Sequence, residues 1–205
     1  GNDGYHYDFS ELYDLNVRYF SLPRDSAPPR NGGFIRNYAI SRCQSELFGQ
    51  KDPEIFWKSY GPKDIIETLA ETDGSLYRTG LTLDLKDKDE NDLLLNSNIN
   101  IQQNRFQLAK PSEYYRVHWG YCVATKTLQD MRGYNEKYKN YGKEDCDVYS
   151  RIQKVSNVVV DNKWLSIHLW HPVEPYFYAG AAEAEMIYQN DDREIVKNAT
   201  GWGQG

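Results

Sequence analysis

Strand-like and helix-like segments alternate along this chain of 205 residues. Alternation is the pattern of an α/β protein, in which helices cover the faces of a sheet. Residues 17–22 (VRYFSL) are β-branched and aromatic and predict a short strand. Residues 23–33 hold three prolines and two adjacent glycines and predict a loop. Phe34, Ile35, Tyr38 and Ala39 have helical spacing, with Cys43 one turn on, so a helix is expected over 34–43. Residues 45–48 predict a short buried strand. Residues 62–72 (PKDIIETLAET) predict a helix with proline in its first turn. The run 84–92 (DLKDKDEND) reads as a charged, solvated loop, and 93–111 as a surface excursion without clear pattern. Helices are expected over 123–131, 144–155 and 179–189. Residues 158–160 and 164–168 predict a strand pair turning at Asp161-Asn162, and the glycine-rich tail 201–205 predicts irregular structure.

The apolar content is low, yet 17 Tyr, 7 Phe and 5 Trp supply large burial areas that disordered chains lack. The length suits one domain. Thirty acids against 24 Lys and Arg leave a net charge of −6, which argues against a nucleic-acid binder. No run approaches the ~18 apolar residues of a membrane span. No charged-then-apolar leader opens the chain. Cys43, Cys122 and Cys146 are scattered, with neither a disulfide framework nor a C-x-x-C pattern, so a reducing, cytoplasmic setting is the simpler expectation. Any membrane association would then run through segments not present here. Asn198-Ala199-Thr200 fits a glycosylation acceptor, a match short enough to arise by chance.

Four constellations carry chemistry. In Asp52-Pro53-Glu54 the proline favours extended backbone before it. Residues two apart on an extended segment share a side, so both carboxylates could converge on one hard cation; a loop or helix start would also explain them. Glu144, Asp145 and Asp147 open a helix, where the dipole favours acids. Adjacent carboxylates can also be driven apart in pKa, leaving one poised as a base. His168 and His171 follow a strand three positions apart and could face one metal, or be ordinary core or surface histidines. Asn2-Asp3-Gly4 is either a simple turn or an acidic-Gly motif of the kind that meets nucleotides at a strand's carboxyl end.

In this order the pieces resemble the GT-A glycosyltransferases, most closely family 2. Asn2-Asp3-Gly4 is similar to that family's acidic-Gly motif, and Gly32-Gly33-Phe34-Ile35-Arg36-Asn37 to its glycine loop and Arg-Asn helix. Asp52-Pro53-Glu54 stands where the family has Asp-x-Asp. Trp119-Gly120-Tyr121-Cys122, the turn 132–138 (RGYNEKY) and Gly142-Lys143-Glu144-Asp145-Cys146-Asp147 resemble its later turn and its Glu-Asp signature, and a late histidine follows. The resemblance runs from Asn2 to about His171 and is most specific over 133–151. It implies a GT-A, Rossmann-like mixed sheet flanked by helices, in which the family's first strand–helix unit has no counterpart. The single domain would comprise a nucleotide and metal half (1–75), an acceptor half (76–175) and a C-terminal helix and tail (176–205).

The implied activity is transfer of a sugar from a nucleotide-diphosphate sugar, a UDP-sugar in the favoured case, to a hydroxyl of a carbohydrate or glycan acceptor. The resemblance makes Asp145 the base, with inversion, and Glu144 a binder of hydroxyls. It assigns Asp3, Arg36 and Asn37 to the donor, with Arg36 alternatively holding the loop by ion pairing, and Asp52, Glu54, His171 and His168 to Mn²⁺ or Mg²⁺. Trp119 and Trp170 would either offer flat faces to sugar rings or pack in the core, and exposed sheet edges would favour a homo-oligomer. The alternative is a non-catalytic carbohydrate- or nucleotide-binding module on a truncated scaffold of the same type. A nucleotidyltransferase would need a glycine-rich phosphate loop with a basic residue, and no clear one is present.

Overall fold

The computed structural model describes residues 32–57, 62–71, 76–96, 120–139, 142–172, 180–192 and 194–204. In chain order the elements are α1 (Gly32–Arg42), β1 (Leu47–Gln50), β2 (Ile55–Trp57), α2 (Pro62–Glu71), β3 (Leu76–Asp84) and α3 (Lys88–Asn96). They continue with β4 (Tyr121–Ala124), α4 (Thr125–Asp130), α5 (Glu144–Ile152), β5 (Val158–His168) and α6 (Ala181–Gln189). The protein is therefore mixed α/β. Among the described residues, five strands form one sheet in the order β1-β4-β3-β5-β2. The central pair β3 and β5 is parallel, and β4, β1 and β2 each run antiparallel to their neighbour.

This order separates β1 from β2. They are consecutive in sequence but lie on opposite edges of the sheet, so residues 51–54 link the two edges. Ile55, just after the link, sits opposite His168, and Asp84 pairs with His168 from the other side. The link thus arrives at the carboxyl ends of the two parallel strands, the place where open α/β sheets bind ligands. Strands from the first expected stretch, 1–75 (β1, β2), and from the second, 76–175 (β3, β4, β5), belong to this one sheet.

Alternation along β4 divides the core. Tyr121 and Val123 point into one cluster with Ile40, Leu128, Met131, Tyr134, Val148, Tyr149 and Ile152. Cys122 points to the other face, against Ile65 and Leu69 of α2 and Trp164. Trp202, in the glycine-rich tail, packs against the first cluster.

Four expectations are corrected. Residues 158–168 are one strand rather than a hairpin. The Asp161-Asn162 turn signal falls instead at a register shift, where β5 runs from Asp161 to Leu165 while β3 runs only from Thr79 to Leu81. The charged run 84–92 is not a loop, since it ends β3 and starts α3. Asp87 Oδ1 accepts the Glu90 N–H at 2.9 Å and Glu90 Oε2 accepts the Lys86 N–H at 2.8 Å, so its acids cap a helix. Helix α4 starts only at Thr125, because Tyr121, Cys122 and Val123 are spent in the sheet. The excursion expected over 93–111 is helical through Asn96. The rest of that stretch, the strand 17–22 and most of the loop 23–33 lie outside the described residues. Among the described residues, no helix is long and apolar enough to cross a membrane.

Candidate functional site

Two side-chain groups meet at the linking turn. Asp52-Pro53-Glu54 is a tight turn, closed by the Ile55 N–H donating to the Asp52 carbonyl at 3.0 Å. Proline fits the second position of such a turn, where its fixed φ is already correct. The extended geometry expected for this triplet is therefore corrected, and with it the shared side for the two carboxylates. Asp52 and Glu54 take different partners.

Asp52 goes to Arg36. The Arg36 fork reaches Asp52 with Nη2 at 2.9 Å, and Asp145 with Nη1 at 3.1 Å. Nη1 also lies 3.6 Å from Glu144. One guanidinium from α1 thus ties the turn to the start of α5. Burial opposes the charge on Arg36. The carboxylates of Asp145, Asp52 and Glu144 and the nearby Tyr134 outweigh it and hold the guanidinium above its ordinary pKa. The Tyr134 ring lies beneath it, 5.2 Å from Cζ to centroid. The Tyr134 hydroxyl bonds that of Tyr121 at 2.9 Å and also Gln50. Burial pushes both phenols above their usual pKa, so they remain neutral.

Asp145 is 5% exposed, at the base of this group. Glu144 is fixed from behind by the Gly142 N–H, which donates to its Oε2 at 3.0 Å. The residue before α5, Lys143, takes a left-handed φ of 68°. Its ammonium pairs with Glu185 of α6 at 2.8 Å.

Glu54 turns toward the histidines. Glu54, His168 and His171 each offer one ligand atom, and these atoms lie within 4.8 Å of one another. Asp52, expected beside the histidines, lies outside this group of three and pairs with Arg36. All three residues are half-buried and accessible. The segment carrying the histidines is held on three sides. Leu169 N–H donates to the Glu54 carbonyl at 2.9 Å, and Leu85 N–H donates to the His168 carbonyl at 3.0 Å. Asn91 of α3 brackets Trp170, donating to its carbonyl at 2.7 Å and accepting its N–H at 2.9 Å. Asp84 Oδ1 lies 3.2 Å from His168 Nδ1, and His171 Nδ1 lies 3.2 Å from the Pro172 carbonyl.

Asn37, expected on the donor, has another task. It is fully buried and its amide is committed to the turn after α4. Nδ2 donates to the Tyr134 carbonyl (2.8 Å) and Glu136 (2.9 Å), and Oδ1 accepts the Tyr134 N–H (2.7 Å). Asn198 closes the same turn, its Nδ2 donating to the carbonyls of Arg132 (2.6 Å) and Tyr134. At 8% exposure and with that nitrogen engaged, Asn198 cannot carry a glycan in the folded protein. Asp3 and Trp119 lie outside the described residues, and Trp170 is 38% exposed beside the histidines. Sequence reasoning missed Asp84 and Asn91, hidden in a run taken for solvated charge. The available signal was the Asp87-x-x-Glu90 cap, which marks a helix start and so a strand end just before it.

Fold and site together define a mixed α/β protein with carboxylates and histidines gathered at the carboxyl edge of its parallel strands. No protein-family model matches the chain, and no curated protein matches it either.

Proposed function

We propose that this chain is a glycosyltransferase of the GT-A type, moving a sugar from a nucleotide-diphosphate sugar to an acceptor hydroxyl with inversion. The observation that carries the reading is Arg36, which joins Asp52 of the acid-Pro-acid turn to Glu144 and Asp145 across 92 and 93 positions of sequence. The two motifs that resemble the donor and acceptor signatures share one guanidinium, and the Glu54–His168–His171 group follows two residues after Asp52. Location at the carboxyl edge of the parallel pair supports a ligand-binding role but does not by itself select the chemistry.

In this reading Asp145 accepts the acceptor's proton as the new glycosidic bond forms, so the hydroxyl must come within about 2.6–3.2 Å of it. Glu144, anchored by the Gly142 N–H, orients the hydroxyl. Arg36 pairs with Asp145 at 3.1 Å and would lend positive charge to the donor phosphates. Two imidazoles beside a carboxylate suit a first-row transition-metal ion such as Mn²⁺ better than Mg²⁺. Glu54, His168 and His171 would hold it, and it would supply positive charge for the departing diphosphate.

Calorimetric titration with a panel of nucleotide-diphosphate sugars, with and without Mn²⁺, tests the proposal. Mn²⁺-dependent heat with one nucleotide supports it, and silence across the panel overturns it. One observation favours a second reading, a module that binds sugar or nucleotide without turnover: Asp145 is buried and already paired. Product assays separate the two. In a transferase, Asp145→Asn abolishes transfer and keeps donor binding, whereas a binding module forms no product in either protein.

A further inference from the structure

We propose that Asp84 is a positioning residue for the Glu54–His168–His171 group, setting which imidazole nitrogen of His168 is presented to a cation. The inference rests on the reading of those three residues as cation ligands.

Asp84 ends β3 directly opposite His168, the last residue of β5, in parallel register. Its Oδ1 lies 3.2 Å from His168 Nδ1. A carboxylate can only accept, so the contact needs the proton on Nδ1. The lone pair of the neutral ring then resides on Nε2. Histidines that hold metals commonly donate their second nitrogen to a carboxylate or carbonyl in this way, which fixes the ring and raises its basicity. His171 has the same arrangement with a weaker acceptor, the Pro172 carbonyl at 3.2 Å from Nδ1. The two rings stand edge to face, with centroids 5.3 Å apart. Backbone bonds from Leu85 and Leu169 keep His168 from sliding along β3 or β2, so Asp84 acts on a ring whose Cα is already fixed. The Asp84 side chain is 45% exposed, so replacing it disturbs little packing.

The test titrates Mn²⁺ and Co²⁺ into wild type, Asp84→Ala and Asp84→Asn by calorimetry. Nitrogen NMR of the metal-free protein reads the His168 tautomer in parallel. Wild type should bind one Mn²⁺ and show the His168 proton on Nδ1. Asp84→Ala should bind about 10- to 100-fold more weakly, with the ring proton redistributed toward Nε2. Asp84→Asn should recover part of that loss, since its amide oxygen still accepts the Nδ1 proton. Equal affinity in wild type and Asp84→Ala, a wild-type proton on Nε2, or no cation binding by wild type each overturns the proposal. Should Asp84→Ala fail to fold, the wild-type tautomer and Asp84→Asn still decide. Asp84-dependent cation binding without heat from any nucleotide sugar would leave this inference standing and remove the transferase reading.

Discussion

Arg36 and Asp145 are 109 positions apart in sequence and meet at 3.1 Å, and the same guanidinium touches Asp52 at 2.9 Å. A planar fork can serve two acids at once, whereas an ammonium on a single stem cannot. Arg36→Met should cost about 3 kcal/mol, because it removes the guanidinium that pairs with Asp52, Glu144 and Asp145. Arg36→Lys should cost less, about 1–2 kcal/mol, by keeping charge but losing one arm of the fork. Urea unfolding reads both. Midpoints equal to wild type would mean these ion pairs contribute nothing to holding the turn against α5.

Gly133 takes a φ of +66°, and a Cβ added there would collide with the Asn37 amide. Left-handed backbone alone costs an ordinary residue about 1–2 kcal/mol. Displacing Asn37 would further strand the Tyr134 N–H in the core, while the Tyr134 carbonyl keeps Asn198. Gly133→Ala should therefore lose roughly 2–4 kcal/mol in total. At this chain length that corresponds to a fall of about 4–16 °C in Tm. A thermal melt unchanged within 1–2 °C, on the order of 0.5 kcal/mol, would show that the turn can shift to accept a methyl group.

Local signals carried most of the helices. The spacing of Phe34, Tyr38 and Ala39, the proline opening α2 and the acids opening α5 each act within a few residues, and those helices form close to where expected. The strands were harder, since pairing is decided by partners far away. Nothing local tells that Asp161-Asn162 is a bulge in one long strand, because the reason is the parallel partner β3. The candidate site divides the same way. Glu144, Asp145, His168 and His171 stand out by residue type and spacing. That Asp52 would join Arg36 while Glu54 joined the histidines was not legible, because it follows from a turn bond between Asp52 and Ile55 and from the strand order around it. Asn37 misled because an Asn one residue from a site arginine looks the same in sequence whether it faces a ligand or locks a neighbouring turn.

The cysteines should differ in reactivity. Cys122 is buried in the sheet, and burial pushes its thiol up to about 12. At pH 8 that leaves about one thiolate in ten thousand. Cys146 is also buried, whereas Cys43 is partly exposed. Iodoacetamide at pH 8 should therefore modify Cys43 first, and Cys122 and Cys146 only after unfolding. Peptide mass mapping reads the order, and early labelling of Cys122 in native protein would contradict the sheet placement.

Asp147 and Arg151 form an ion pair sealed inside the protein, each side chain 1% exposed, with Oδ2 at 2.8 Å from Nη2 and 2.9 Å from Nε. Arg151 Nη2 also donates to the Gly133 carbonyl (2.9 Å) and Nη1 to the Ile195 carbonyl (3.0 Å). Oδ1 of Asp147 has no hydrogen-bond partner among the described residues. Burial pushes the Asp147 carboxyl above its usual value, and Arg151 offsets this only in part. A raised carboxyl pKa makes the ionised form the costly one. Its contribution to stability is thus complete below the unfolded value of about 3.9 and is lost as pH climbs through the raised native value. Asp147→Asn removes this titration and replaces it with a cost that does not vary with pH, the weakened pairing of Arg151. The stability difference between variant and wild type should therefore shift in the variant's favour as pH rises from 3.5 to about 7. Urea midpoints at pH 3.5, 5 and 7 measure it. A difference that stays constant would mean the carboxyl is unshifted, and a drift toward wild type would mean that Arg151 outweighs burial.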